Sequence, residues 1–191
     1  MNKNTGYKKL WAPWRMQYIE GMNPAQPGEC IFCEKPGEQN DEKNYILLRA
    51  RTCYCIMNIY PYNNGHLMVV PYRHTSNFGD LSPEERLELM DVTNLIIETI
   101  KCTMRPDGFN IGMNLGRVAG AGIENHLHLH IVPRWNGDTN FMPIIGNSKV
   151  ISESLENTYA KLKKAIAAGQ EKNESYRPGD TGGKKDHDKT D

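Results

Sequence analysis

His126-Leu127-His128-Leu129-His130-Ile131-Val132 places three of the chain's six histidines at alternate positions. Successive side chains of a β-strand point to opposite faces, so the three imidazoles share one face and the apolar residues share the other. A solvent-exposed strand does not need the alternating leucines, and a core strand would leave three imidazoles without partners. The pattern therefore predicts a strand whose apolar face enters the core and whose histidine face forms a functional site.

A glycine-rich loop, residues 116–122, leads directly into this strand. Its three glycines leave the backbone amides open to close approach by an anion such as phosphate. The imidazoles could bind a catalytic metal, or one could act as a nucleophile assisted by the others. The loop favours the nucleophile, because neutral imidazole attacks phosphorus at pH 7 and the amides can stabilise the developing charge.

The charge composition indicates what the chain does not bind. Lys plus Arg and Asp plus Glu number 23 each, so no global field attracts nucleic acid or an anionic membrane. We expect neither partner. The sequence has no apolar run of about 18 residues and no signal-peptide core, and its five cysteines are an odd number. These features predict a cytoplasmic protein with thiols or metal ligands rather than disulfides.

Three segments differ in composition. Residues 1–29 are predicted to form an N-terminal arm whose Trp11 and Trp14 pack on the body or on a second subunit. Residues 30–168 are predicted to form one domain. Residues 169–191 are predicted to be a disordered C-terminal tail, because they contain too few large apolar residues to offset the entropy of folding.

Periodicity predicts further strands over residues 45–50, 52–58, 66–71 and 109–115. A helix over residues 83–102 follows an N-cap at Ser82 and Pro83 at the first helical position. A second helix is predicted over residues 151–168. Strands joined by tight turns around one long helix indicate an antiparallel α+β domain. The apolar stripe of the first helix is predicted to contain Leu87, Met90, Leu95, Ile96, Thr99 and Ile100.

Cys30-Ile31-Phe32-Cys33 has the spacing of half of a tetrahedral zinc site, and the surrounding glycines and Pro36 suit a tight knuckle. A redox pair is disfavoured, because no strand precedes the cysteines and no helix clearly follows them. Zinc would need two more ligands, for which His74 and His126 are available. The other cysteines, at positions 53, 55 and 102, are predicted to be small core residues.

The alternation of histidine and apolar residues over positions 126–132 resembles the signature of the histidine triad superfamily. Residues 64–71 resemble its Gly-His strand, and residues 110–114 resemble its asparagine-bearing strand. Residues 11–15 and 133–142 resemble a bacterial group similar to the fragile histidine triad proteins, which includes diadenosine tetraphosphate phosphorylases. The resemblance extends from about residue 7 to residue 168.

This resemblance implies an α+β, HIT-like fold with a five-stranded antiparallel sheet and two main helices, assembled as a homodimer. By position, His128 corresponds to the nucleophile that forms a nucleotidyl–histidine intermediate. His130 corresponds to a residue that hydrogen-bonds the phosphate, and His66 to a supporting member of the imidazole network. The implied substrate is a small dinucleoside polyphosphate such as diadenosine tetraphosphate.

The resemblance also implies binding residues. Asn58 corresponds to an asparagine that contacts the nucleoside, and Asn114 belongs to the phosphate-binding segment. The backbone of the glycine loop completes that segment, at Gly120, Ala121, Gly122 and Ile123. The implied metal is a structural zinc, with the ligands Cys30, Cys33, His74 and His126.

The motif does not fix the acceptor that takes the nucleotidyl group from His128 in the second step of the reaction. The phosphorylases in question carry Gly-Ser where this chain has Ala121-Gly122, which favours water over orthophosphate. A phosphorylase using orthophosphate is the first alternative. A nucleotide-binding or sensing module with little turnover is the second, and a catalytic metal on the histidine strand is the third.

Overall fold

The computed structural model describes residues 30–141 and 150–174, the last five of these by backbone alone. The described helices are α1 (Ile31–Gly37), α2 (Pro83–Met104) and α3 (Leu155–Glu174). The strands are β1 (Ile46–Arg49), β2 (Cys53–Met57), β3 (Leu67–Pro71), β4 (Gly108–Met113) and β5 (Leu129–Arg134). The predicted arm, with Trp11 and Trp14, and the tail from residue 175 onward lie outside the described residues.

The five strands form one antiparallel sheet in the order β1-β2-β3-β5-β4. The predicted α+β class and five-stranded sheet are confirmed. The central strand pair aligns Met68 of β3 with His130 of β5, and His130 is in turn aligned with Gly112 of β4. The histidine strand is therefore flanked on both sides, which fixes its register and its two faces.

The sheet strand begins at Leu129, so His126 and His128 lie just before it and not within it. This differs from the predicted strand over residues 126–132. The two-residue alternation is kept because Leu127, Leu129 and Ile131 all enter the main core. The imidazoles therefore lie on the opposite face, as predicted.

Helix α2 begins where the sequence predicts. The Ser82 hydroxyl accepts from the Glu85 amide, and the Glu85 carboxylate accepts from the Ser82 amide, which satisfies two donors at the helix start. The predicted stripe is partly wrong, because Leu87 and Met90 are 64% and 55% exposed. The buried face is instead formed by Leu89, Val92, Thr93, Ile96 and Ile100.

Helix α3 starts four residues later than predicted and continues through Gly169 to Glu174. A glycine inside a helix costs only about 1 kcal/mol relative to alanine, so it need not end the helix. The buried Tyr159, Leu162 and Ile166 hold the preceding turns on the core. The division of the chain at residue 168 stays a prediction.

Helices α2 and α3 cover one face of the sheet, and the other face carries a second apolar cluster with the histidines. Helix α1 covers part of that second face through Phe32, which is 2% exposed. The expectation that no helix follows the cysteines is wrong, because a short helix begins directly after Cys30 and contains Cys33. The tight turn is present, since the Cys33 amide donates to the Cys30 carbonyl at 2.8 Å. Cys53 and Cys55 are core residues as predicted, whereas Cys102 is exposed.

Within the described ranges, every helix is too short or too polar to cross a bilayer.

Candidate functional site

The side chain of His128 is held in one tautomer. Its Nδ1 lies 2.8 Å from the backbone carbonyl of His126, which can only accept, so Nδ1 carries the proton. In the neutral ring, Nε2 then presents a lone pair. Because that carbonyl belongs to the same extended segment, the backbone itself fixes the direction in which Nε2 points.

Burial also keeps His128 neutral. The residue is 6% exposed, and loss of hydration lowers its pKa below the ordinary 6.5, opposed only by the hydrogen bond to the His126 carbonyl. A neutral ring at pH 7 is the form that can attack phosphorus.

His66 and His130 form a buried imidazole pair beside His128, with His66 Nε2 lying 2.9 Å from His130 Nδ1. The Tyr62 backbone amide donates to His66 Nδ1 at 3.0 Å. Because an amide can only donate, the proton of neutral His66 is on Nε2 and is donated to His130. The proton of neutral His130 is then on its own Nε2, and its ring lies 4.8 Å from the ring of His128 between centroids.

His66 should make stability fall at acidic pH. Burial, with smaller contributions from His130 and His128, lowers its folded pKa to about 3 from 6.5, so the unfolded chain binds the extra proton between these values. Stability is therefore retained above pH 6.5 and decreases as pH falls toward 3. Between pH 7.5 and pH 5, protonation linked to His66 should lower the free energy of unfolding by about 2 kcal/mol.

Urea unfolding of the wild type and His66→Gln at both pH values measures this contribution. The decrease in the free energy of unfolding from pH 7.5 to pH 5 should be about 2 kcal/mol smaller in the variant. Proton uptake at groups that do not interact with His66, including any at a bound metal, is common to both proteins and cancels. Equal losses would contradict the assignment.

Asn58 lies beside the imidazole pair. Its Nδ2 is 3.4 Å from His66 Nδ1, and its Oδ1 accepts from the Tyr60 amide at 2.9 Å. The structure therefore brings Asn58 next to the imidazole pair. Its role in contacting a nucleoside stays a prediction.

The glycine loop offers fewer free backbone amides for an anion than the sequence suggested. The Gly120 amide donates to the Arg117 carbonyl at 2.9 Å, and the Ala121 amide points to the Gly116 carbonyl at 3.5 Å. Within residues 30–141 and 150–174, the amides of Gly122 and Ile123 have no protein acceptor. Of the four positions predicted to bind phosphate, residues 120–123, these are the two whose amides remain open to an anion, while Asn114 Nδ2 lies 3.4 Å from the Gly120 carbonyl and braces the loop.

The four predicted metal ligands lie together next to this site. The donor atoms of Cys30, Cys33, His74 and His126 all lie within 4.8 Å of one another. The two imidazole Nδ1 atoms are 3.2 Å apart, and sulfur-to-nitrogen distances are 3.3, 3.4 and 3.5 Å. Tetrahedral zinc with ordinary bond lengths would require about 3.3 Å and about 3.5 Å for such pairs. Four of the six donor pairs therefore have the spacing that such an ion requires.

The tautomer of His126 supports the same assignment. Its Nε2 lies 2.8 Å from the Pro71 carbonyl and must donate, so the Nδ1 lone pair points at the sulfurs of Cys30 and Cys33. Partial loss of hydration, with an added effect of the Cys30 thiol, raises the pKa of Cys33 to about 11. A cation among these donors would offset that cost, since thiolates are the metal-binding form.

Phe32 connects the two groups of residues. Its ring centroid is 5.5 Å from that of His126 and 5.0 Å from that of His128. It lies between Cys30 and Cys33 in the chain, so any ion that fixes these cysteines also fixes the ring that packs on His128. The cysteine motif therefore positions the imidazole site through packing.

Several residues of the site were missed by sequence reasoning. The Tyr62 amide and the Pro71 carbonyl act through backbone atoms, which leave no mark in the residue type. Asn63, which is buried, and Asp138, which is half-buried, are hydrogen-bonding partners from distant segments. The dense turn residues around position 63 and the polar residues after Trp135 were the available signals, but neither indicates a partner.

Comparison with known proteins agrees with this geometry. The HIT domain family profile matches residues 39–137. A Mycobacterium tuberculosis protein named AP-4-A phosphorylase is 46% identical over 161 residues, which cover 79% of this chain and 80% of that protein. The Saccharomyces cerevisiae bis(5'-adenosyl)-triphosphatase is 32% identical over 91 residues, covering 47% of this chain and 44% of that protein.

Solved structures show the same fold. A zinc-bound histidine triad family protein from Mycobacterium smegmatis superposes with a TM-score of 0.62 at 27% identity, covering 75% of this chain and 97% of that one. A histidine triad nucleotide-binding protein from Sulfolobus tokodaii superposes with a TM-score of 0.63 at 28% identity, covering 78% of this chain and all of that one.

Proposed function

The chain belongs to the HIT domain family, and we propose that it cleaves dinucleoside polyphosphates such as diadenosine tetraphosphate through a covalent nucleotidyl–His128 intermediate. The observation that carries this proposal is the hydrogen bond from His128 Nδ1 to the His126 carbonyl, which leaves a lone pair on Nε2. The relatives named for reactions of diadenosine tetraphosphate and triphosphate support the substrate class.

In the first step, His128 Nε2 attacks the α-phosphorus and forms a P–N bond. The anhydride P–O bond breaks, and ATP leaves with the bonding electrons when the substrate is diadenosine tetraphosphate. We propose that the His130 Nε2 proton hydrogen-bonds the phosphate as negative charge develops, and that the Gly122 and Ile123 amides stabilise that charge. Asn58 is proposed to bind the nucleoside and Asn114 to hold the phosphate loop.

In the second step, an acceptor oxygen attacks the same phosphorus and the P–N bond breaks, which restores neutral His128. Water releases AMP, and orthophosphate releases ADP. Residues Ala121 and Gly122 favour water, as argued above, whereas the 46% identical relative named as a phosphorylase favours orthophosphate. Because that likeness covers most of both chains, we propose orthophosphate as the acceptor and keep water as the alternative.

Product analysis tests the acceptor. With diadenosine tetraphosphate and ³²P-orthophosphate, phosphorolysis should give ATP and ADP in equal amounts, with the label in ADP alone. Asymmetric hydrolysis would give ATP and unlabelled AMP at a rate independent of added phosphate. Symmetric hydrolysis would give two ADP without label, and would contradict attack at the α-phosphorus.

A sensing module with little turnover is the competing function. Such a module would bind a nucleoside monophosphate at Asn58 and the glycine loop, yet would never form the P–N bond. Tight AMP binding with neither adduct nor product, across several dinucleotides, would favour it. The free lone pair of His128 is the observation against it, because binding alone does not require that tautomer.

Zinc is proposed as the structural ion of the Cys30, Cys33, His74 and His126 cluster, consistent with the zinc-bound relative. The ion would supply a fixed positive centre that ties α1 and the loop at His74 to the start of the histidine segment. We also propose a homodimer. Strand β4 lies at an edge of the sheet and exposes 46% of Ile111, and an edge strand can pair with another chain.

A further inference from the structure

Asp138 carries a carboxylate that the imidazole site does not use directly. Its side chain is 8% exposed, although Arg134 beside it is 45% exposed. The Arg134 guanidinium donates to both carboxylate oxygens, at 2.6 and 2.9 Å, and the Trp135 amide donates at 3.2 Å. Arg134 holds the pKa of this carboxyl well below its ordinary value, so the group is ionised and acts as an acceptor.

Asn63 connects this carboxylate to the turn before β3. Its Nδ2 donates to Asp138 at 2.8 Å and to the Pro133 carbonyl at 2.9 Å, and the residue is 7% exposed. Both partners are pure acceptors, which fixes the orientation of the Asn63 amide. Asn63 therefore pins the turn to the end of β5 by two hydrogen bonds.

The same turn holds His66. The His66 amide donates to the Asn63 carbonyl at 3.2 Å, and the Tyr62 amide donates to His66 Nδ1 at 3.0 Å. Gly65 adopts φ +70°, and a Cβ at this position would lie 2.8 Å from the Met104 sulfur. The turn of residues 62–66 is thus closed tightly, with its two anchoring hydrogen bonds at Asn63.

The Tyr62 amide, at 3.0 Å, is the nearer of two donors to His66 Nδ1, the other being Asn58 Nδ2 at 3.4 Å, and it is the main contact that commits the imidazole pair to one proton arrangement. With it in place, His66 donates from Nε2 and His130 keeps its proton on Nε2, facing away from His66. If the turn shifted, both rings could exchange to the opposite tautomer, in which His130 Nε2 would present a lone pair. A lone pair there would repel a phosphate oxygen.

We propose that Asn63 and Asp138 are positioning residues, which hold the Tyr62 amide against His66 and thereby fix the proton on His130 that faces the substrate phosphate. The kinetic part of this inference rests on the proposed function. The part that concerns the arrangement of protons in the free protein is independent of the proposed function. Neither residue touches the reacting atoms, so both act through the turn of residues 62–66.

Kinetics with diadenosine tetraphosphate test the first part. Asn63→Ala and Asp138→Ala should lower kcat about 10- to 100-fold with KM changed less than about threefold, because misplacement of a reacting group by even 1 Å has effects of this size. Asp138→Asn, which still offers an oxygen to Asn63, should recover most of the activity. Asp107→Ala is the matched control, since Asp107 accepts at 2.7 Å from the Asn136 amide without contacting Asn63.

The side-chain nitrogen shifts of ¹⁵N-histidine-labelled protein, measured without substrate, test the second part. Wild type and Asp107→Ala should show one Nε2-protonated form of His66 and of His130, with His66 Nδ1 shifted as a hydrogen-bond acceptor. Asn63→Ala should lose that acceptor shift and show tautomer averaging. If Asn63→Ala does not fold, Asn63→Leu, of similar shape, removes the same two donors without adding a carboxylate beside Asp138 and should show the same loss.

Unchanged nitrogen shifts in a folded Asn63 variant would overturn the inference, as would a kcat equal to wild type or a change in KM alone. A wild type that cleaves no dinucleotide would instead contradict the proposed function, and the shifts would still decide the role of Asn63 and Asp138.

Discussion

His128→Ala should reduce turnover of diadenosine tetraphosphate by a factor on the order of 10⁴ or more, because it removes the atom that bonds to phosphorus. The neighbouring imidazoles cannot replace it. His66 Nε2 and His130 Nδ1 are engaged with each other, and His126 directs its lone pair at the cysteines. Initial rates, followed by chromatography of the nucleotide products, measure the effect.

The covalent intermediate gives a direct readout of the same claim. A phosphoramidate survives alkaline quenching, so mass spectrometry of briefly mixed enzyme and substrate should show a nucleotidyl adduct on the peptide containing His128. The adduct should be absent from His128→Ala and present in His187→Ala, a histidine to which the sequence assigns no role. Wild-type product formation with no adduct at any mixing time would exclude the mechanism.

The metal content of His128→Ala separates this mechanism from a catalytic metal on the histidine strand. A nucleophile can be removed without loss of metal, so the variant should keep the same metal content as the wild type. If His128 were instead a ligand of a catalytic ion, metal content and activity would fall together. The structure favours the first outcome, because His128 Nδ1 is hydrogen-bonded to a carbonyl and the four clustered donors belong to other residues.

The alternating histidines predicted the site well because alternation is a local property of an extended chain. Leu127 and Leu129 enter the core and the imidazoles face away from it, even though the sheet begins only at Leu129. The local pattern could not reveal where hydrogen-bonded pairing starts, since pairing depends on β3 and β4. The stripe of α2 was partly wrong for a similar reason, because packing on the sheet selected Leu89 over Leu87.

The hydrogen bonds that orient the imidazoles depend on contacts between distant segments, which the sequence could not predict. Asn63 and Asp138 are 75 residues apart, and their hydrogen bond is not encoded by any local spacing. The tautomers of His66 and His128 are set by an amide and a carbonyl, which every residue type supplies. The Cys30 and Cys33 pair was found by spacing alone. His74 and His126 could be named from the sequence only as available histidines, and the resemblance to the family was needed to assign them as ligands.

Cys33→Ala should lower the melting temperature more than His128→Ala does. Loss of one ligand should release a structural ion and cost about 3 kcal/mol or more, or about 6–12 °C for a chain of this size. Loss of His128 removes one hydrogen bond and some packing, about 1–2 kcal/mol. Cys33 is the informative ligand, because its thiol is exposed and its replacement loses little packing.

The controls isolate the ion from the thiol. Cys102→Ala, at another exposed cysteine, should change stability by less than about 0.5 kcal/mol. A chelator should lower the melting temperature of the wild type toward that of Cys33→Ala and leave the variant unchanged, because both treatments remove the same ion. Equal melting curves for Cys33→Ala and His128→Ala, with metal content measured in both, would show that the four clustered residues do not stabilise the fold through a metal.

Loss of activity in the chelated but still folded wild type would point to a role for the ion in positioning His128 through Phe32, whose ring lies 5.0 Å from that imidazole.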